Sequence, residues 1–155
     1  MTDGISVVGL AELSATTVRA RLLDAHDRFW DTDTRALLDP VWFHQFGGFG
    51  AVARSSTGED VGYVLGAVSV DRLAYLHLLA VREDHRTSPL AERLCQWFDA
   101  LAAGTGARVV QTVARPEDAA ALEFHTGLGA STHLSRDHAG PGADRVVLTR
   151  PLALS

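Results

Sequence analysis

The stretch Ala74-Tyr75-Leu76-His77-Leu78-Leu79-Ala80-Val81 runs through Arg82-Glu83-Asp84-His85-Arg86 into Thr87-Ser88-Pro89-Leu90-Ala91. An apolar run of strand length gives way to a charged turn, and the turn opens a helix capped by Ser88 with Pro89 in its first turn. The first amides of a helix have no intrahelical acceptor, and the macrodipole adds partial positive charge there, so the segment Arg86 to Ala91 is suited to a phosphorylated ligand. Leu90, Leu94, Trp97 or Phe98, and Leu101 form the buried stripe of that helix. Gly104 and Gly106 end it.

Upstream, Ile5-Ser6-Val7-Val8 reads as a first strand, and Ser14 as the N-cap of a helix in which Val18, Leu22, Ala25 and Phe29 recur at helical spacing. A shorter helical segment covers Thr34 to Phe43, with Pro40 kinking or breaking it before Gly47-Gly48-Phe49-Gly50. Ala51 to Arg54 and Val61 to Val70 flank Ser55-Ser56-Thr57-Gly58-Glu59-Asp60, which is turn chemistry between two β-rich runs and predicts a hairpin. Downstream, Val109 to Val113 is a β-branched strand and Pro116 to Leu128 a helix stopped by Gly127-Leu128-Gly129. His138 to Ala143 reads as a loop, and Arg145 to Thr149 as a last strand. The order predicts an α/β (α+β) fold, a mixed sheet of about six or seven strands with helices on both faces. One domain is expected over residues 4–152.

The chain has 155 residues, 14 basic against 19 acidic, for a formal charge of -5. It lacks the basic run that tracks a phosphate backbone, so nucleic acid is not an expected partner. No segment reaches the roughly 20 apolar residues of a membrane span, and Met1-Thr2-Asp3-Gly4 lacks the basic start of a signal peptide. Cys95, the one cysteine, cannot pair within the chain and sits among Leu94, Trp97 and Phe98 as a small core residue. A cytoplasmic protein without a membrane partner is expected. An acidic surface suits a cationic or amine-bearing substrate better than an anionic one.

Two motifs in order carry a family resemblance. Leu79-Ala80-Val81 followed by Arg86-Thr87-Ser88-Pro89-Leu90-Ala91 is the first. Asp118-Ala119-Ala120-Ala121-Leu122-Glu123-Phe124-His125 followed by Gly129-Ala130 is the second. Together they resemble the GNAT superfamily of acyl-CoA-dependent N-acyltransferases, over nearly the full chain. The resemblance implies acetyl-CoA, or another acyl-CoA, as donor. It implies that the backbone of Leu79, Ala80 and Val81 bonds the pantetheine arm and that amides of Arg86, Thr87, Ser88, Leu90 and Ala91 receive the diphosphate. Asp118 and Phe124 stand where the later motif meets the cofactor, although a carboxylate there would repel phosphates. Pro89 departs from the family's usual glycine and offers no N–H. A lost amide contact to a charged group is worth about 1.5–3 kcal/mol, or roughly ten- to a hundredfold in binding.

Amide formation from a thioester needs a base for the amine proton, donors for the developing oxyanion, and an acid for the thiolate. Tyr75, His77 and Leu79 share one strand face by period two. His77 resembles in position the Glu that some family members use as base, and an imidazole of ordinary pKa near ~6.5 can take that role. A core histidine bonded to a neighbouring carbonyl is the other reading. His125 stands where the family often has the Tyr that serves the leaving thiolate; it reads equally as a surface or interface histidine beside Phe124. Trp42, His44 and Phe49, with Tyr75, fall where the family builds its acceptor pocket, or else pack the first helices on the sheet. Seven histidines raise a metal reading, but none stands in a His-Glu-x-x-His or cysteine-paired pattern, and His133 and His138 fall in a loop, so no metal is expected. No Gly-x-Ser-x-Gly elbow points to a serine hydrolase.

The expected function is transfer of an acetyl or short acyl group to a primary amine of a small molecule by direct attack, and a homodimer is compatible with it. Two alternatives stand beside it. One is a non-catalytic GNAT-fold protein that senses acyl-CoA or binds a partner, and the other a GNAT fold turned to different acyl-thioester chemistry.

Overall fold

A computed structural model of the chain describes residues 4–152. Met1–Asp3, read above for their lack of basic residues, lie outside the described residues. The described strands are β1 (Ser6–Gly9), β2 (Ala51–Arg54), β3 (Asp60–Val68), β4 (Leu73–Val81), β5 (Val109–Ala114), β6 (Ser131–Ser135) and β7 (Arg145–Pro151). Among the described residues these seven form a mixed sheet in the order β1-β2-β3-β4-β5-β7-β6. The first pairings are antiparallel, with Val8 against Val52 and Val52 against Tyr63. β4 and β5 are parallel, with Ala74 against Val110. Parallel neighbours need a long crossover, and the helix α4 (Leu90–Gly104) lies in it.

The chain divides into two compact units. One runs to Ala67 and resumes over Leu76–Ala102; the other takes Val68–Tyr75 and everything from Ala103 onward.

In the first unit, Ser14 caps α1 (Ala15–Asp24), its hydroxyl accepting from the Thr17 amide at 3.3 Å. Val18 and Leu22, one turn apart, are buried with Phe29, Leu38, Phe43, Tyr63 and Leu78 in one core. Gly62 and Tyr63 are consecutive in β3 and so point to opposite faces. Tyr63 meets Phe29 edge-on at 5.3 Å, and a Cβ on Gly62 would meet Leu94 at 2.9 Å and Leu90 at 3.3 Å. Helical segments therefore cover both faces of β3. Leu90, Leu94, Cys95, Phe98 and Ala102 make the buried face of α4.

In the second unit β7 pairs antiparallel with β5 and with β6. Ala74, Ala107, Val110, Ala114, Leu148 and Leu152 are its buried apolar residues, with Thr112, His125 and Arg150 as buried polar ones. The helix α5 (Ala119–Gly127) is capped by Asp118, whose carboxylate accepts from the Ala121 amide at 3.1 Å.

Several sequence expectations shift. The periodic run after Ser14 breaks at Ala25 into α1 and the single turn α2 (His26–Phe29), and Phe29 stays on the core side. Between Thr34 and Phe43 the chain forms a 3-10 turn (Arg35–Leu37) and then α3 (Val41–His44), because Pro40 takes the N-cap position of α3. α5 starts three residues later than Pro116, since the Asp118 side chain supplies the acceptor that starts a helix. β3 stops at Val68, and Val70 is fully exposed in the following turn. His133 is in β6, not in a loop. No alternation marks that strand in the sequence, because Ser131–Ser135 is mostly polar and exposed along almost its whole length, Leu134 included.

Candidate active site

β4 alternates strictly: Ala74, Leu76, Leu78 and Ala80 are buried, while Tyr75, His77, Leu79 and Val81 are half-buried. The expected shared face of Tyr75, His77 and Leu79 is present. Burial raises the Tyr75 hydroxyl pKa, so it stays a neutral phenol.

His77 is held on two sides. Its ring stacks on Trp42, with centroids 4.0 Å apart and planes 10° from parallel. Its Nε2 lies 2.7 Å from the carbonyl oxygen of Leu37 in the 3-10 turn. A carbonyl can only accept, so Nε2 carries the hydrogen and the lone pair of the neutral ring is on Nδ1. Burial pushes the His77 pKa below the ordinary histidine value, against the smaller opposing effects of the Leu37 carbonyl and the Asp39 carboxylate. The ring is therefore neutral at neutral pH, with a basic nitrogen opposite its anchored one. Of the two sequence readings of this residue, the bond to a neighbouring carbonyl is present.

Trp42 comes from α3 and also meets Phe46, at 5.7 Å between ring centroids. His44 is exposed on α3, and Phe49 is half-buried in the 3-10 turn Gly47–Phe49. Of the aromatic candidates, Trp42 stacks on His77.

The segment after β4 begins with a 3-10 turn (Glu83–His85) and is tied internally. The Ser88 amide donates to the His85 carbonyl at 3.1 Å, and the Ser88 hydroxyl to the same oxygen at 2.6 Å. The Leu90 amide reaches the Ser88 hydroxyl at 3.4 Å, while the Pro89 carbonyl accepts from the Arg93 amide at 3.1 Å. Pro89 therefore occupies the N-cap position, one residue after the expected Ser88. Among the described residues the amides of Arg86 and Thr87 make no internal hydrogen bond. Ala91 lies in the first turn of α4, where amides lack an intrahelical acceptor. These donors fit a diphosphate. The Arg86 guanidinium instead donates to the Phe29 carbonyl at 2.9 Å and the Val81 carbonyl at 3.5 Å. It fastens the loop to α2 and β4.

Arg82, buried, forks onto Asp84 at 2.7 and 2.8 Å and reaches Glu59 at 3.1 Å. Those bonds hold the Asp84 carboxyl at about 2. Half of this brace has no local sequence signal, because Glu59 lies in the turn between β2 and β3, far from Arg82 in the chain. The Leu37 carbonyl has none either, as no side-chain pattern signals a main-chain acceptor.

In the second unit His125 is buried in α5, with Phe124 edge-on at 5.0 Å. It is not a surface histidine. Asp118 is occupied as a helix cap.

The sequence model of the acetyltransferase (GNAT) family matches residues 16–130. No curated protein matches the chain. Among solved structures, Ard1 from Thermoplasma volcanium superposes with a TM-score of 0.79 at 16% identity, covering 97% of this chain and 99% of that one. The NatC complex bound to Gag peptide and CoA gives 0.76 at 16% identity over 96% and 99%. The structure of yncA from Salmonella typhimurium with its cofactor acetyl-CoA gives 0.69 at 16% over 99% and 95%. At such identity the likeness is one of fold. Among the described residues no helix is long and apolar enough to cross a membrane.

Proposed function

Since the chain belongs to the acetyltransferase (GNAT) family, we propose that it moves an acetyl or other short acyl group from acyl-CoA to a primary amine of a small molecule by direct attack, in the cytoplasm. The observation that carries this reading is the hydrogen bond from His77 Nε2 to the Leu37 carbonyl. It places the hydrogen of a neutral imidazole on Nε2 and the lone pair on Nδ1, the nitrogen that takes the amine proton as the amine attacks the thioester carbonyl. The same bond, with Asp39 nearby, steadies the imidazolium that forms.

Acyl-CoA supplies an activated carbonyl and a thiolate leaving group. The unbonded amides of Arg86 and Thr87, with that of Ala91, hold its diphosphate, and the backbone of Leu79, Ala80 and Val81 aligns its pantetheine arm. His125 is the candidate acid for the thiolate. The net change is one C–N bond formed, one C–S bond broken, and one proton moved from amine to sulfur. Trp42 borders the acceptor, and Tyr75, His44 and Phe49 are its further candidates.

A peptide amine is the second reading, supported by the likeness to a complex bound to a peptide. Isothermal titration with acetyl-CoA, followed by mass spectrometry of products from a panel of small amines and peptides, tests both. Binding and a heavier small amine support the proposal. A heavier peptide alone shifts it to the second reading, and no binding at roughly millimolar acetyl-CoA, near -4 kcal/mol, overturns both.

A further inference from the structure

A second histidine, His26, has the opposite hydrogen arrangement to His77. His26 in α2 is 2% exposed. Its Nδ1 lies 2.9 Å from a carboxylate oxygen of Asp27, and its Nε2 accepts from the Thr34 amide at 3.1 Å, with the Thr34 hydroxyl at 2.9 Å. A backbone amide only donates, so Nε2 carries the lone pair and Nδ1 the hydrogen, which goes to Asp27.

Carboxylate, imidazole and hydroxyl in a row resemble a nucleophile triad, but the roles do not match. The lone pair that would deprotonate Thr34 already receives the Thr34 amide. The cluster instead fixes the main chain at residue 34.

That main chain leads directly to the acceptor of His77. The Thr34 carbonyl receives the Leu37 amide at 2.9 Å, starting the 3-10 turn, and the Arg35 carbonyl receives the Leu38 amide at 3.0 Å. On the far side Arg19 Nε donates to the Leu38 carbonyl at 2.7 Å. Leu37 itself is 44% exposed, so side-chain packing is a poor anchor for its carbonyl. Its position depends on the hydrogen bonds on either side, and those at the upstream end converge on His26.

We propose that His26 is a positioning residue for His77. Through Thr34 it sets the Leu37 carbonyl, and thereby the tautomer and ring orientation of the base. The catalytic half of this inference rests on the base role given to His77; the structural coupling does not.

The test is long-range ¹H–¹⁵N spectroscopy of the histidine rings, with steady-state kinetics beside it. In the unaltered protein at neutral pH the spectrum shows His26 with hydrogen on Nδ1 and His77 with hydrogen on Nε2. A His26 ring with hydrogen on Nε2 overturns the proposal without any variant. His26→Leu removes the Thr34 acceptor. It mixes the His77 tautomers, lowers kcat by about ten- to a hundredfold as expected for a misplaced group, and leaves KM for acetyl-CoA unchanged. His26→Gln offers a side-chain carbonyl to the Thr34 amide and restores both readouts. Unchanged His77 signals in His26→Leu overturn the coupling. Altered signals with unchanged kcat keep the coupling and overturn the base role of His77.

Discussion

The imidazole of His77 lies flat on the indole of Trp42, 4.0 Å between centroids, so one ring face is hidden by an apolar surface while Nε2 is fastened at the edge. Desolvation is the leading cause of its lowered pKa, and Trp42 is positioned to supply much of it.

Trp42→Ala uncovers that ring. Losing desolvation lets the His77 pKa rise toward the ordinary value near ~6.5. The acid limb of kcat/KM, which reports the base in the free enzyme, then moves to higher pH. Initial rates from about pH 5 to about pH 8 measure it. A limb that stays in place would show that the stack does not set the pKa.

Asp84 makes stability depend on acid. Its folded pKa, about 2, is depressed below the ordinary carboxylate value near ~3.9, so the Arg82 interaction is fully present above that value and is lost as pH falls through the folded one. Urea midpoints measured across this window should fall less steeply for Asp84→Asn than for the unaltered protein. Parallel curves would mean the pair does not brace the loop.

At Gly62 of β3 the side chains of α4 pack close against the strand. A methyl group there meets Leu94 at 2.9 Å and the Ala80 carbonyl at 3.2 Å, and backbone cannot yield as a side-chain end can. Gly62→Ala is expected to cost about 1–3 kcal/mol of stability, read as a lower Tm by calorimetry. An unchanged Tm would show that the helix moves off the sheet freely.

Pro89 removes one donor from the proposed diphosphate segment. Pro89→Gly restores an N–H and should tighten CoA roughly tenfold or more by titration calorimetry, the value of one amide bond to a charged group. Unchanged or weaker binding would place the phosphates away from this amide.

The legible parts of the chain were those where side chains alternate or repeat against a core. β4 showed its two faces, Ser14 its cap, and α4 its stripe at Leu90, Leu94 and Phe98. β6 was hidden because an exposed polar strand owes its pairing to the backbone of β7, which leaves no side-chain trace. His77 was found from its place on β4, but its anchor is a main-chain oxygen 40 residues away in sequence. The arrangement of Thr34 and Leu37 depends on a break at Pro40 and on His26, neither of which periodicity ranks. The resemblance puts Asp118 at a cofactor position, and the structure gives it a helix to cap.

The central claim is that His77 takes the amine proton. Thiol release from acetyl-CoA, in the presence of the best amine acceptor, compared between the unaltered protein and His77→Gln, tests it most directly. The account predicts a loss of about 10²- to 10⁴-fold in kcat, the usual worth of a general base, with acetyl-CoA binding unchanged. Equal rates in the two proteins would contradict it.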